Sequence, residues 1–337
     1  MRLDEFGLIE RIARRARARA DIALGIGDDA ALLQMPDGQQ LAVTADTLNA
    51  GVHFPIETLP ADIGWKALAV NLSDLAAMGA TPAWCTLSLS LPQADAAWLD
   101  GFIEGFFTLA DASGIALVGG DTTQGPLSVS ITAMGAVPAA QALRRDGARA
   151  GDDVWVSGAP GEAAAALRLW QHAQLDVRAP ADDVHIEMLR QRLQRPVPRL
   201  QLGQALRGLA HAAVDVSDGL LADLHHIAER SGVGAVVWAD ALPLLLALRA
   251  TFGVEAARDC ILRGGDDYEL CFTAATERRD AVQALSSRLA LPLTRIGKIV
   301  TGSGVVCEGG AHGNAAFAGG GAKGGVNGFR HFSREGE

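Results

Sequence analysis

An α/β (α+β) architecture in two domains is predicted by three features of the chain. Stretches with strand-like alternation take turns with Ala- and Leu-rich helical stretches along its length. At 337 residues it is about twice the roughly 150 residues of one domain. A polar, Arg-containing connection around 138–153 interrupts the apolar periodicity, so the expected domains are residues 1–138 and 150–337. Hydrophobic residues make up 49% of the chain and charged residues 20%, which supports packed cores and excludes a disordered profile.

In chain order, residues 8–20 join apolar Leu8, Ile9 and Ile12 to five arginines between Arg11 and Arg19, the pattern of a solvated helix face. Residues 41–46 read as a strand with Thr44 and Asp46 on the face opposite Leu41 and Val43. Residues 65–78 read as a helix on which Asn71 and Asp74, three apart, share a face. Residues 85–91 form a strand made wetter on one side by Thr86, Ser88 and Ser90. A helix over 96–113 and a strand over 115–118 then lead into Gly119-Gly120-Asp121, and a strand over 128–137 closes the first half. The second half is expected to contain a strand at 154–156, a helix at 161–170, a strand-to-helix turn across 213–229 and a short strand at 269–273. The glycine-rich stretch 309–325 is expected to be a mobile loop.

Charge and cysteine usage narrow the function classes. A net charge of -10 argues against a nucleic-acid partner. No apolar run approaches the roughly 18 residues of a membrane span. The opening Met1-Arg2-Leu3-Asp4-Glu5 lacks a secretory layout. Cys85, Cys260, Cys271 and Cys307 are too scattered for a zinc site or a disulfide framework, and a cytoplasmic setting is expected. Lys66, Lys298 and Lys323 are followed by Ala, Ile and Gly, so the chain holds no Walker A loop.

The chemistry is carried by aspartates beside glycines and hydroxyl residues: Gly25-Ile26-Gly27-Asp28-Asp29, Thr44-Ala45-Asp46, Asn71-Leu72-Ser73-Asp74, Gly119-Gly120-Asp121, Asp215-Val216-Ser217-Asp218-Gly219 and Gly264-Gly265-Asp266-Asp267-Tyr268-Glu269. One such pair is an ordinary turn; six clusters, several abutting apolar strands, point to a shared task. Asp215 lies inside an apolar strand, where an unpaired charge is costly, and a cation is its natural partner. Hard oxygen ligands suit Mg²⁺, which retains waters and substrate phosphates in its shell.

These stretches, together with Gly51-Val52-His53-Phe54 and residues 65–79, resemble the thiamine-monophosphate kinase family. Its superfamily includes aminoimidazole ribonucleotide synthetase and selenophosphate synthetase. The resemblance runs from Glu5-Phe6-Gly7 to Gly328-Phe329-Arg330. It implies a two-domain fold of the aminoimidazole ribonucleotide synthetase type that forms a homodimer through its N-terminal domains. It also implies ATP-dependent phosphorylation of thiamine monophosphate with several Mg²⁺ ions. Carried over to this chain, it gives Asp29, Thr44, Asp46, Asp74, Asp121, Asp215 and Asp218 as metal ligands. Gly120, Asp121, Arg145 and Ser217 become ATP contacts, and His53, Asp266 and Phe329 substrate contacts. Ala45 stands where a hydroxyl is usual, Asp266 replaces the usual Glu and is one methylene shorter, and Phe329 replaces Trp or Tyr.

Arg144 beside Arg145 leaves two candidates for one contact. His225 and His226 are read as structural, since adjacent helical side chains diverge by about 100°. The alternatives implied by the same resemblance are a sister ATP-dependent enzyme acting on a purine intermediate and a non-catalytic metal- or nucleotide-binding protein. Selenide chemistry is disfavoured because the first cysteine is Cys85.

Overall fold

The computed structural model describes residues 5–309 and 315–317. Phe329 lies outside the described residues. In chain order the elements are α1 (Glu5–Ala13), β1 (Ile22–Leu24), β2 (Leu32–Leu33), β3 (Gln39–Asn49), α2 (Pro60–Ala77), β4 (Thr81–Leu91), α3 (Ala96–Ser113), β5 (Ala116–Gln124) and β6 (Ser128–Pro138). There follow β7 (Asp153–Ser157), α4 (Glu162–Gln171), α5 (Val184–Gln194), α6 (Leu200–Leu206), β8 (Ala212–Asp215), α7 (Leu220–Ser231) and β9 (Gly234–Trp238). The chain continues with α8 (Leu246–Arg263), β10 (Leu270–Ala274), α9 (Arg279–Leu289), β11 (Leu293–Val300), β12 (Gly304–Glu308) and β13 (Ala315–Phe317). Two compact units result. The first holds the chain as far as Ala142 together with Asp176–Pro180 and Gln194–Leu200, and the second holds the remainder.

In the first unit four strands run in the order β3-β6-β4-β5, with β4 and β5 parallel and the other neighbours antiparallel. The helices α2 and α3 contribute buried Leu68, Leu72, Leu99, Phe102 and Phe106 to its core, and the sheet contributes buried Leu89 and Ile131. The two helices approach at glycines. A Cβ at Gly105 would lie 1.7 Å from the Ala61 carbonyl oxygen, and one at Gly64 would lie 2.1 Å from that of Phe102. Asp95 starts α3 by accepting the Ala97 and Trp98 N–H groups.

The helix expected across 8–20 ends at Ala13. Three of the arginines pair with acids of α3: Arg11 with Asp100, Arg15 with Glu104 and Arg17 with Asp111. The basic stretch stays largely solvated, as expected, and three of its arginines also tie it to α3.

The alternation along β3 is real but reversed from the usual sense. Thr44 and Asp46 turn toward α2, while Leu41 and Val43 stay 49% and 58% exposed. The outer face therefore carries apolar side chains beside Thr47 and Ser130, whose hydroxyls lie 2.7 Å apart.

The second unit is built on seven strands in the order β13-β12-β9-β11-β7-β10-β8, antiparallel except for β12 beside β9. Its central strands β7 and β10 are buried throughout, and Trp155 stacks on Phe272 across them. Within the glycine-rich stretch 309–325, Ala315–Phe317 departs from the expected loop. Its backbone pairs with Val305–Cys307 on the open edge of β12. The other residues of that stretch, beyond Gly309, lie outside the described residues.

The helix contact makes a sharp prediction. Gly105→Ala forces a methyl into the backbone of α2 and is expected to cost about 3 kcal/mol or more, whereas Gly101→Ala, which meets only the Pro60 ring edge at 3.2 Å, should cost less than about 1 kcal/mol. Urea midpoints of the two variants measure the difference.

Candidate active site

In the first unit, β3 and α2 bring four polar side chains together. The Thr44 hydroxyl donates to the Asp74 carboxylate, and the Asp46 N–H donates to Asn71 Oδ1 at 3.1 Å. Asn71 is held in turn by donating to the Ala67 carbonyl one turn earlier. Burial and the charge of Asp74 push the Asp46 carboxyl up to about 6. The helical spacing of Asn71 and Asp74 thus puts both under the strand that carries Thr44 and Asp46.

Two other residues of the implied metal set do not join this group. Asp29 is exposed in the turn after β1, its N–H on the carboxylate of Asp28 at 2.8 Å. Asp121 sits across from Ser88, which pairs with Ser130, and Ser130 pairs with Thr47. Directly paired residues share a face. Asp121 therefore occupies the outer face and Asp46 the helix-side face. Gly120, just before it, runs so close to β4 that a Cβ would lie 1.9 Å from the Leu87 carbonyl oxygen, which fixes glycine there.

His53 lies in the turn after β3. The Asn49 N–H donates to its Nδ1 at 2.9 Å, which places the proton of the neutral ring on Nε2. The Lys66 ammonium holds the same turn through the His53 carbonyl at 3.2 Å.

The second unit assembles its own group from two turns. The buried Asp215 ends β8. Beyond it the backbone ladder continues: Val216 donates to Glu269, Tyr268 to Val216 and Asp266 to Ser217, at 2.8, 2.8 and 2.9 Å. Gly265 allows this approach, since a Cβ there would stand 2.3 Å from the Ser217 carbonyl oxygen. Ser217, Asp218 and Asp266 are therefore brought to one place, with Asp215 at its base.

Sequence reasoning missed the residues that shape these turns. Asp223 accepts the N–H groups of Ser217, Asp218 and Gly219 on one oxygen at 3.0, 3.1 and 3.2 Å. Burial, aided by the charge of Asp218, still pushes its carboxyl up to about 7. Asp267 is partly buried and accepts the Gly161 and Ala163 N–H groups at the start of α4, with desolvation holding its carboxyl well above the usual range. Its partners lie more than a hundred residues away, so the cluster that drew attention to Asp267 could not show what it binds.

Burial lowers the basicity of His226, the Arg145 guanidinium and His225 add to this, and Asp218 and Glu229 oppose it. Arg144 pairs with Asp146 at 2.6 Å.

Among the described residues, no three His, Cys, Asp or Glu side chains are gathered closely enough to hold a metal ion. The donors of each unit do fit one, however. Asp46 and Asp74 are like charges brought together at a partly buried place, and a divalent cation relieves that repulsion.

Comparison with known proteins completes the picture. Residues 27–137 match the AIR synthase related protein N-terminal domain, and residues 149–310 match the corresponding C-terminal domain. The thiamine-monophosphate kinase of Salmonella typhimurium is 48% identical over 300 residues, covering 89% of this chain and 91% of that protein. That of Bacillus subtilis is 36% identical over 308 residues, covering 88% and 91%. The crystal structure of the thiamine-monophosphate kinase from Stenotrophomonas maltophilia superposes with a TM-score of 0.87 at 64% identity, covering 92% of this chain and 98% of that one. A solved structure described as AaThiL complexed with AMPPCP and TMP superposes with a TM-score of 0.73 at 32% identity, covering 94% and 98%. With both domain models matched in order and such relatives covered almost end to end, the chain belongs to the thiamine-monophosphate kinase family of AIR synthase related proteins.

Proposed function

We propose that the protein is a cytoplasmic kinase that transfers the terminal phosphoryl group of ATP to the phosphate of thiamine monophosphate. The products are thiamine diphosphate and ADP. The observation that carries the reading is the meeting of Asp46 and Asp74, with Thr44 and Asn71, between β3 and α2. The AaThiL structure, with AMPPCP and TMP bound to a chain of the same family, supports the choice of substrates.

The acceptor oxygen belongs to a phosphate monoester whose second pKa is about 6, so it is already anionic near neutral pH. It attacks the γ-phosphorus in line, the new O–P bond forms, and the bond to the ADP oxygen breaks with its electron pair leaving on ADP. No protein base is required, and none is assigned. The difficulty is electrostatic, since one polyanion approaches another.

Mg²⁺, when bound, supplies the positive charge that offsets this repulsion. Thr44, Asp46 and Asp74 would hold it in the first unit and Asp215 and Asp218 in the second, with Asp29 and Asp121 as further donors. The lack of a ready-made cluster suits an ion that completes its shell with waters and phosphate oxygens. Gly120, Arg145 and Ser217 are assigned to ATP; His53, Asp266 and Phe329 are assigned to thiamine monophosphate. The neutral His53 ring, protonated at Nε2, is suited to donating to a phosphate oxygen.

We also propose a homodimer formed through the outer face of the first unit's sheet, where Leu41 and Val43 are exposed beside Thr47 and Ser130. No described helix is long and apolar enough to cross a membrane, and the four thiols are buried without disulfides, in keeping with a cytoplasmic setting.

Three outcomes test this reading. Asp74→Asn keeps an oxygen for the Thr44 hydroxyl, so the fold should persist while turnover falls by about a hundredfold or more. Near-normal rates at saturating Mg²⁺ would exclude the metal role.

Folded Asp46 titrates at about 6 and an unfolded aspartate at about 3.9. The folded chain therefore binds more protons between those values, and stability falls as pH rises through that window and stays lower above it. Asp46→Asn should accordingly raise the melting temperature near about pH 8 in chelator while losing Mg²⁺-dependent turnover; an unchanged or lower melting temperature would refute the buried-pair account. Val43→Glu should yield the mass of one chain in solution scattering where the parent gives two, and a parent that is already monomeric would remove the dimer.

A further inference from the structure

The chain has one tyrosine, and it stands two residues from the carboxylate assigned to the acceptor substrate. Asp266 and Tyr268 both hold left-handed backbone conformations, with φ of 65° and 53°. That region is uncommon for residues other than glycine, and bulky side chains enter it least readily. The surrounding hydrogen bonds impose it. Asp266 and Tyr268 donate their N–H groups to Ser217 and Val216, while Asp267 between them turns inward to the start of α4. Asp266 and Tyr268 meet as a result: the Tyr268 hydroxyl donates to Asp266 Oδ1 at 3.0 Å, and the ring is 8% exposed.

We propose that Tyr268 is a positioning residue for recognition of the acceptor, orienting the Asp266 carboxylate toward the cationic half of thiamine monophosphate. The inference rests on the substrate assignment of Asp266 made above. Because aspartate is one methylene and one rotatable bond shorter than the usual glutamate, its oxygens have less reach toward a ligand, and their direction matters more. A phenol bonded to one oxygen restricts rotation of the carboxylate. The group then meets a fixed thiazolium cation or a ring amino group in one orientation, and little ordering is left to be done on binding. A charge-assisted bond from a partly buried hydroxyl is well suited to this task. The strained backbone is kept because it delivers both side chains to the same place.

The test compares the full-length parent with Tyr268→Phe and Asp266→Asn. Tyr268→Phe removes one oxygen and should raise KM for thiamine monophosphate about five- to tenfold, with KM for ATP changed by less than about twofold and the melting temperature retained. Asp266→Asn should raise the same constant at least as much. Labelling with [13Cζ]tyrosine gives a single resonance, which should move in Asp266→Asn and again when thiamine monophosphate is added to the parent.

If Asp266→Asn raises KM for thiamine monophosphate but Tyr268→Phe does not, the positioning role is overturned and the substrate assignment stands. If Asp266→Asn leaves that constant unchanged, both fall together. Equal drift of both Michaelis constants with a lower melting temperature in Tyr268→Phe, or a tyrosine resonance indifferent to Asp266→Asn, likewise overturns the proposal.

Discussion

Taking carboxylates partly or wholly out of water is the constraint around which both units are arranged. A carboxylate out of water must be neutral, hydrogen-bonded or matched by a cation. The protein uses different answers at different places. Asp223 is surrounded by three N–H groups and Asp267 by two, and these bonds shape the turns that carry Ser217, Asp218 and Asp266. Asp46 has a second carboxylate close by instead. The first kind is scaffold; the second is what a divalent cation and a phosphate chain would complete.

Much of this was legible before any coordinates. The period-two alternation separated the faces of β3, and the three-residue spacing put Asn71 and Asp74 together under it, as they are found. Expected strands and helices lie close to β4, α3, β6, α4 and β10, because their apolar patterns agree with the packing they enter. What failed was direction and distance. Alternation says that Leu41 and Val43 oppose Asp46, not which side meets the helices, and here the apolar side faces outward. Residues 8–20 showed the charge of five arginines but not the acids on α3 that bind three of them. Likewise nothing in the sequence marked Asp223 as a turn-shaping residue, and Asp267 stood in a cluster read for chemistry rather than for support, because their partners are backbone groups brought by the fold.

The reversed strand has a meaning for how the two faces divide the work. Asp46 and Asp74 lie on the helix side of the sheet, whereas Asp121 is paired through Ser88 to the outer side, beside Ser130 and Thr47. A single sheet thus separates acids that the family resemblance treats as one set. Glycine at position 120 is required by the closeness of β5 to β4, which fixes where Asp121 emerges.

The short stretch Gln194–Leu200 shows a different kind of dependence. Although it comes late in the chain, it belongs with the first unit, where Pro196 accepts the Trp65 indole N–H and Arg195 lies over the Trp65 ring while pairing with the buried Asp62. The polypeptide therefore leaves the first unit and returns to it, and no single peptide bond divides one unit's residues from the other's. A fragment ending at Ala142 would lose the Pro196 carbonyl that meets the Trp65 indole and the Arg195 guanidinium that meets Asp62 at the start of α2. The N-terminal unit is consequently not a transposable module in the genetic sense: recombination at the midpoint of the gene would separate a helix from the residues that finish it.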